Sequence, residues 1–145
     1  MTIRVSINGL GRIGRNVLRQ ILEINDLEIV HVNDINPSIE NIAYLLNFDT
    51  TYGRLNPPFE IVSGGLERCG SRIEVTSFES PIDVPWSDYD TDVVVEATGV
   101  NRIQTSIGAL VKSGKIKKAI VTHSSNEVDK TIIFGVNELD YIPKK

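Results

Sequence analysis

The chain has 145 residues, 41% of them hydrophobic and 23% charged, with a formal net charge of −4. That length supports one domain with a proper core, and the composition is ordinary for a globular protein. The balance excludes a nucleic-acid partner held by bulk positive charge, since basic pairs occur only at Lys117-Lys118 and Lys144-Lys145, and no apolar run approaches the roughly 18 residues of a membrane span.

In chain order, Ile3, Val5 and Ile7 alternate with Arg4 and Ser6, which predicts a first strand. Ile13, Val17, Ile21 and Ile24 recur at helical spacing and predict a helix from about Arg12 to Ile24, ended by Asn25-Asp26. Leu27 to Val32 read as a second strand. Pro37-Ser38 mark a helix start, with Ile39, Ile42, Ala43, Leu45 and Leu46 on its apolar face. Asn56-Pro57-Pro58 is a breaker. Phe59–Val62, Leu66–Arg68 and Arg72–Phe78 then read as short antiparallel strands joined by tight turns, an insertion around residues 59–78. The parallel pattern resumes with a buried-type strand over Asp92–Ala97. A helix follows with Ile103, Ile107, Leu110 and Val111 on one face, stopped by Gly114. Further strands are predicted at Ala119–Thr122 and Thr131–Val136. The fold class is therefore α/β, a Rossmann-type doubly wound and mostly parallel sheet with a small antiparallel insertion.

The first strand runs into Asn8-Gly9-Leu10-Gly11-Arg12-Ile13-Gly14, a helix follows, and Asp34 stands 20 residues after the third glycine. A glycine triplet alone is a weak signal, but strand, helix and acid together form the dinucleotide-binding fingerprint. Gly9 permits a sharp turn off the strand. Gly11 lets a pyrophosphate approach the backbone, and Gly14 lets helix and strand pack closely. The free amides of the first helical turn then face the phosphates. Asp34 accepts hydrogen bonds from ribose hydroxyls and repels a 2′-phosphate, which favours NAD over NADP. Ligands of such sheets sit beyond the carboxyl ends of the strands. Those ends supply Asn8 to Arg12, Asn33-Asp34, Thr98-Gly99 and Thr122-His123.

Other polar residues have plainer readings. Cys69 is the only thiol and has no base near it in sequence, so it reads as a turn residue and not a nucleophile. His31 lies inside a strand and reads as structural. His123, at a strand's carboxyl end, is either close to the cofactor or a hydrogen-bonded loop residue. Trp86 reads as packing under a loop. Arg15 reads as structural, whereas the side chain of Arg12 serves either bound phosphate or packing. The N-terminus lacks the basic and apolar stretches of a secretory leader, and one cysteine allows no internal disulfide; both fit a cytoplasmic protein.

These segments resemble the NAD-binding half of the glyceraldehyde-3-phosphate dehydrogenase family. The resemblance is carried by Asn8–Arg15, Val32-Asn33-Asp34, Leu45–Arg54, Val94–Val100 and Phe134-Gly135-Val136-Asn137. It implies that Arg12 and Ile13 offer backbone amides to the pyrophosphate and that Asp34 binds the adenosine ribose. It also implies that Thr98, Gly99 and Thr122 line the path to the nicotinamide ribose. The family oxidises a sugar-phosphate aldehyde with NAD and inorganic phosphate, through a cysteine thioester and a histidine base, and its members are homotetramers. The family's Ser-Cys-Thr-Thr-Asn-Cys motif does not occur in these 145 residues. Residues 1–145 are thus expected to form the NAD-binding domain without the catalytic one, and to be inactive alone. Leu10 replaces the family's usual aromatic, and an arginine usual after Phe78 is missing from Glu79-Ser80-Pro81. Thr122–Asn126, Asp129 and Thr131 resemble the erythrose-4-phosphate dehydrogenase branch instead. That branch carries glutamate at the position of Asp34, so both substrates stay open, as does a standalone NAD-binding module. No metal, nucleic-acid or membrane partner is expected.

Overall fold

The computed structural model describes residues 2–142. Strands β1 (Ile3–Asn8), β2 (Leu27–Asn33), β5 (Glu60–Val62), β6 (Gly65–Arg68), β7 (Ser71–Thr76), β8 (Val93–Glu96) and β9 (Lys118–Val121) form one sheet in the order β5-β6-β7-β2-β1-β8-β9. The pairs β7–β2, β2–β1, β1–β8 and β8–β9 are parallel; β5–β6 and β6–β7 are antiparallel. The expected α/β sheet is therefore present. Its antiparallel insertion is fused to the main sheet, because β7 continues the parallel series beside β2. Residues Phe48–Asp49 (β3) and Gly53–Arg54 (β4) make a separate two-stranded hairpin.

Helices cover both faces. On one, α1 (Arg12–Ile21) and α2 (Ile39–Asn47) bury Leu18, Ile21, Ile42 and Leu46 against Val5, Ile7, Val32 and Val95. On the other, α3 (Asn101–Lys112) packs Ile103, Ile107 and Leu110 with Trp86 and Val94. Val94 and Val95 are adjacent and serve opposite cores, as strand alternation demands. The pairing of β1 with β2 shifts between Val5 and Ser6, so that Val5 opposes Ile29 and Ser6 opposes His31. The extra residue, Val30, brings both Ile29 and Val32 to the α1 face.

Three expectations change. Helix α1 buries Gly14, Leu18 and Ile21, whereas Ile13 and Ile24 are exposed, and the helix stops at Ile21. The small Gly14 lies on the contact face, which the isoleucine spacing conceals. Thr131–Val136 is not a strand. Ile133, Phe134 and Val136 are exposed, and the segment closes on itself: Asn137 N–H donates to Ile133 O, and Ile133 N–H donates to Asn137 Oδ1 at 2.6 Å. Phe59–Val62, read as a strand from Phe59, begins pairing at Glu60, while Phe59 is buried and its amide and carbonyl both bond Asn47.

The other readings hold locally. Ser38 caps α2, its Oγ accepting from Asn41 N–H at 3.1 Å. Gly114 closes α3 with φ of 74°. Trp86 is buried and donates from Nε1 to Pro81 O at 2.7 Å. Cys69 is exposed, with φ of 53°, in the β6–β7 turn.

Candidate functional site: the carboxyl rim of the parallel sheet

The chain passes from β1 to β2 in one direction along the sheet and returns through β8 to β9 in the other. The reversal lies between β1 and β8, and a crevice forms there at the carboxyl ends. Backbone bonds step across this rim one residue beyond the strands. Asp34 N–H donates to Thr76 O, Gly9 N–H to Asn33 O, Ala97 N–H to Asn8 O, and Thr122 N–H to Glu96 O. Each predicted site residue is therefore brought to a single rim: Asn8 to Gly14 after β1, Asn33 and Asp34 at β2, Thr98 and Gly99 after β8, and Thr122 after β9.

The three fingerprint glycines have different surroundings. Gly9 has φ of 92°, and a Cβ on it would lie 2.8 Å from the Thr98 nitrogen. A Cβ on Gly14 would overlap the Gly9 carbonyl oxygen and sit 3.5 Å from Ala97 Cβ. Around Gly11 no atom comes within 4 Å of such a Cβ. Two glycines are thus consumed by packing, and the middle one faces open space where an incoming group can reach the backbone. Gly11 is also the N-cap of α1, which has no side-chain cap and no acid in its first turn. The amides of exposed Arg12 and Ile13 have no intrahelical acceptor, and the positive helix end is not neutralised locally. Arg15 donates from Nη1 to Leu10 O at 2.9 Å and ties the helix back to the loop.

Asp34 fastens the other side of this loop. Its Oδ2 accepts from Leu10 N–H at 2.6 Å and its Oδ1 from Asn36 N–H at 2.9 Å. A cleft of about 150 Å³ opens beside it, lined by Leu10, Gly11, Arg15, Asp34, Asn36, Ile42 and Leu45. Leu10, Ile42 and Leu45 give it apolar walls, and Asp34, Asn36 and Arg15 give it polar ones, a mixture that suits a flat, partly polar group. A larger open groove of about 370 Å³ lies between the far side of α1 and Tyr52–Asn56, away from the glycine loop.

Asn8 and Asn33 turn inward. Both are 2% exposed, and their side chains bond each other and their neighbours. Asn33 Nδ2 donates to Asn8 Oδ1 at 2.8 Å, and Asn8 Nδ2 donates to Glu96 Oε2 at 2.6 Å. Glu96 Oε1 accepts from the Thr98 amide at 2.8 Å and from the Thr98 hydroxyl. On the other side, Thr76 Oγ1 donates to Asn33 Oδ1 at 2.9 Å, and His31 Nε2 meets that hydroxyl at 2.8 Å. His31 is fully buried, stacked on Tyr89 at 4.0 Å, and burial lowers its pKa to about 3. The structural reading of His31 therefore stands. Sequence reasoning does not single out Glu96 or Thr76. The available signal for Glu96 is an acid inside an otherwise apolar, buried strand. Gly99 has φ of 71°, and Thr122 Oγ1 donates to Glu96 O at 3.1 Å. Thr122 and Gly99 are exposed, so the β8–β9 side of the rim is open.

Residues 3–104 match the family described as glyceraldehyde 3-phosphate dehydrogenase, NAD binding domain. Glyceraldehyde-3-phosphate dehydrogenase 2 of Streptomyces avermitilis is 40% identical over all of this chain and 43% of its own length. The cytosolic glyceraldehyde-3-phosphate dehydrogenase of Trypanosoma brucei brucei is 38% identical over 97% of this chain and 42% of its own. A glyceraldehyde-3-phosphate dehydrogenase of Kitasatospora aureofaciens is 42% identical over the same shares, 97% and 42%. The chain spans less than half the length of these curated relatives. With its fingerprint loop, its Asp34 and this match, the chain belongs to the NAD-binding domain family of glyceraldehyde-3-phosphate dehydrogenase.

Proposed function

We propose that residues 1–145 form the cofactor-binding domain of a phosphorylating aldehyde dehydrogenase acting on glyceraldehyde 3-phosphate. The observation that carries this reading is the open face of Gly11 above an uncapped α1, flanked by Asp34. The amides of Arg12 and Ile13 hold the pyrophosphate of NAD, with the dipole of α1 assisting. Asp34, already fixed by Leu10 and Asn36, keeps free lone pairs for the adenosine ribose hydroxyls. Thr98, Gly99 and Thr122 take the nicotinamide end. NAD, when bound, supplies a hydride acceptor; the chain's own residues bind and orient it and contribute no nucleophile. The cysteine, the histidine base and the phosphate site are assigned to sequence outside these 145 residues. The working protein is a cytosolic homotetramer that uses inorganic phosphate as co-substrate.

Calorimetric titration of this chain with NAD and with NADP tests the reading. NAD binds at least about tenfold tighter, because a 2′-phosphate meets the Asp34 carboxylate. Equal or tighter binding of NADP overturns it. Erythrose 4-phosphate is the second substrate reading, favoured by the Thr122–Asn126 segment. Turnover of the longer protein on the two aldehydes separates them.

A further inference from the structure

The hydrogen-bond chain across the rim has a direction that the backbone fixes. The Phe78 amide can only donate, and it donates to Asn33 Oδ1 at 2.9 Å. The Phe78 carbonyl can only accept, and it takes Asn33 Nδ2 at 3.0 Å. The Asn33 amide therefore has one allowed orientation. Its Nδ2 also donates to Asn8 Oδ1, which leaves Asn8 to present Nδ2 to Glu96 Oε2. At the far end, the Thr98 backbone amide can only donate, and it donates to Glu96 Oε1. Glu96 is fully buried and meets a donor at each oxygen.

We infer that Glu96 is a positioning residue for cofactor binding: its acceptor-only carboxylate joins the β2–β1 end of the rim to the Thr98–Gly99 turn and holds that turn in place. This inference rests on the NAD-binding reading above. The joint matters beyond Thr98 itself. The backbone of Thr98 is the surface against which Gly9 packs, at 2.8–2.9 Å from where a Cβ would stand. A displaced Thr98 thus disturbs both the β8 turn and the first glycine of the loop.

The direction of the chain makes an isosteric test available. In Glu96→Gln, either the new amide faces Asn8 Nδ2 or it faces the Thr98 amide, so two donors oppose each other in both orientations. Asn8→Asp in the same chain removes that conflict. The carboxylate introduced at position 8 accepts from the glutamine amide at position 96 and still accepts from Asn33 Nδ2. The glutamine carbonyl oxygen then serves the Thr98 amide. The carboxylate has moved one place along the network, and every bond has a partner again.

The experiment titrates the unaltered chain, E96Q, N8D and N8D/E96Q with NAD and with ADP, following folding by thermal unfolding. The expected result is a loss of about tenfold or more in NAD affinity in E96Q. ADP, which shares the glycine loop but lacks the nicotinamide end, loses less affinity than NAD does; an equal loss for both nucleotides overturns the assignment to the Thr98–Gly99 turn. N8D alone opposes two carboxylates and is also weakened, and N8D/E96Q regains NAD binding. If E96Q does not fold, recovery of both folding and NAD binding in N8D/E96Q supports the inference. E96Q with unaltered NAD affinity overturns it, as does a double variant that fails to recover. An unaltered chain that binds neither nucleotide overturns the NAD-binding reading itself, and this inference with it.

Discussion

The middle of the parallel sheet and its β9 end carry similar apolar sequences in opposite surroundings. Ile7 in β1 and Val94 in β8 are fully buried, whereas Ile120 in β9 is 57% exposed and Phe134, farther along, is 91% exposed. In the middle, each strand has two neighbours, helices or Trp86 cover both faces, and polar side chains at the strand ends find partners in the rim network. At the end, β9 has β8 alone beside it among the described residues, and the backbone of 133–137 bonds within its own turn. Apolar character alone does not make a buried strand. It needs a partner edge and a covered face.

The largest test of this contrast is a pair of truncations. Ile7→Ala opens a cavity in the α1–α2 core and costs about 2–5 kcal/mol. Ile120→Ala removes an exposed side chain and stays within about 0.5 kcal/mol. Urea unfolding of both variants measures the difference. Equal losses mean that β9 is as well covered as β1, and the contrast fails.

Much of the middle is legible in the sequence because several local signals agree there. Alternation names β1, the glycine loop the turn into α1, the Ser38 cap the start of α2 and the Gly114 stop the end of α3, each from different physics. Thr131–Val136 reads falsely as a strand because its apolar run looks the same whether or not an edge lies beside it. Ile13 and Ile24 misplace the α1 face because the true contact face includes a glycine, which hydrophobic spacing does not count. In the candidate site, the residue types are readable but their division of labour is not. Asn8 and Asn33 are drawn inward by Glu96 and Thr76, partners distant in sequence that only the sheet order brings together.

The glycine loop sharpens the comparison within a few residues. Gly14→Ala forces a methyl group onto the Gly9 carbonyl, and overpacking there costs about 1–3 kcal/mol or more. Gly11→Ala meets no atom within 4 Å and takes up an extended backbone with φ of −65° that alanine adopts freely. Its stability falls by no more than the roughly 1 kcal/mol that alanine costs at an N-cap, and on the function proposed above its NAD affinity falls, since the methyl group occupies the approach to the backbone. Thermal unfolding together with NAD titration separates the two positions. A G11A destabilised as much as G14A means that the space above Gly11 is not open.

The smallest effect isolates one interior group. Thr76 spends its only hydroxyl proton on Asn33 Oδ1, so His31 Nε2 must donate to Thr76 and carry the ring's proton. His31 Nδ1 is then bare, and it is buried without a hydrogen-bond partner among the described residues. Protonating it places a charge between the rings of Tyr89 and Trp86, and burial accordingly lowers the pKa to about 3. The unfolded imidazole titrates near about 6.5. Between these values the unfolded chain binds the extra proton, so stability falls as pH drops, by about 1.4 kcal/mol per pH unit from this residue. Glu40, Asp49 and Asp92 also have lowered pKa values, held by hydrogen bonds to their carboxylates. Their stabilisation is lost as pH falls from the usual carboxylate range toward their lowered folded values, which overlaps only the acidic end of the His31 window. His31→Gln keeps an amide donor for Thr76 and does not titrate. Its urea midpoint is expected to vary less between about pH 6 and pH 4.5 than that of the unaltered chain, by the slope given above. Parallel pH profiles for the two proteins mean that the imidazole is already solvated, and that the interior of the rim is wetter than its packing indicates.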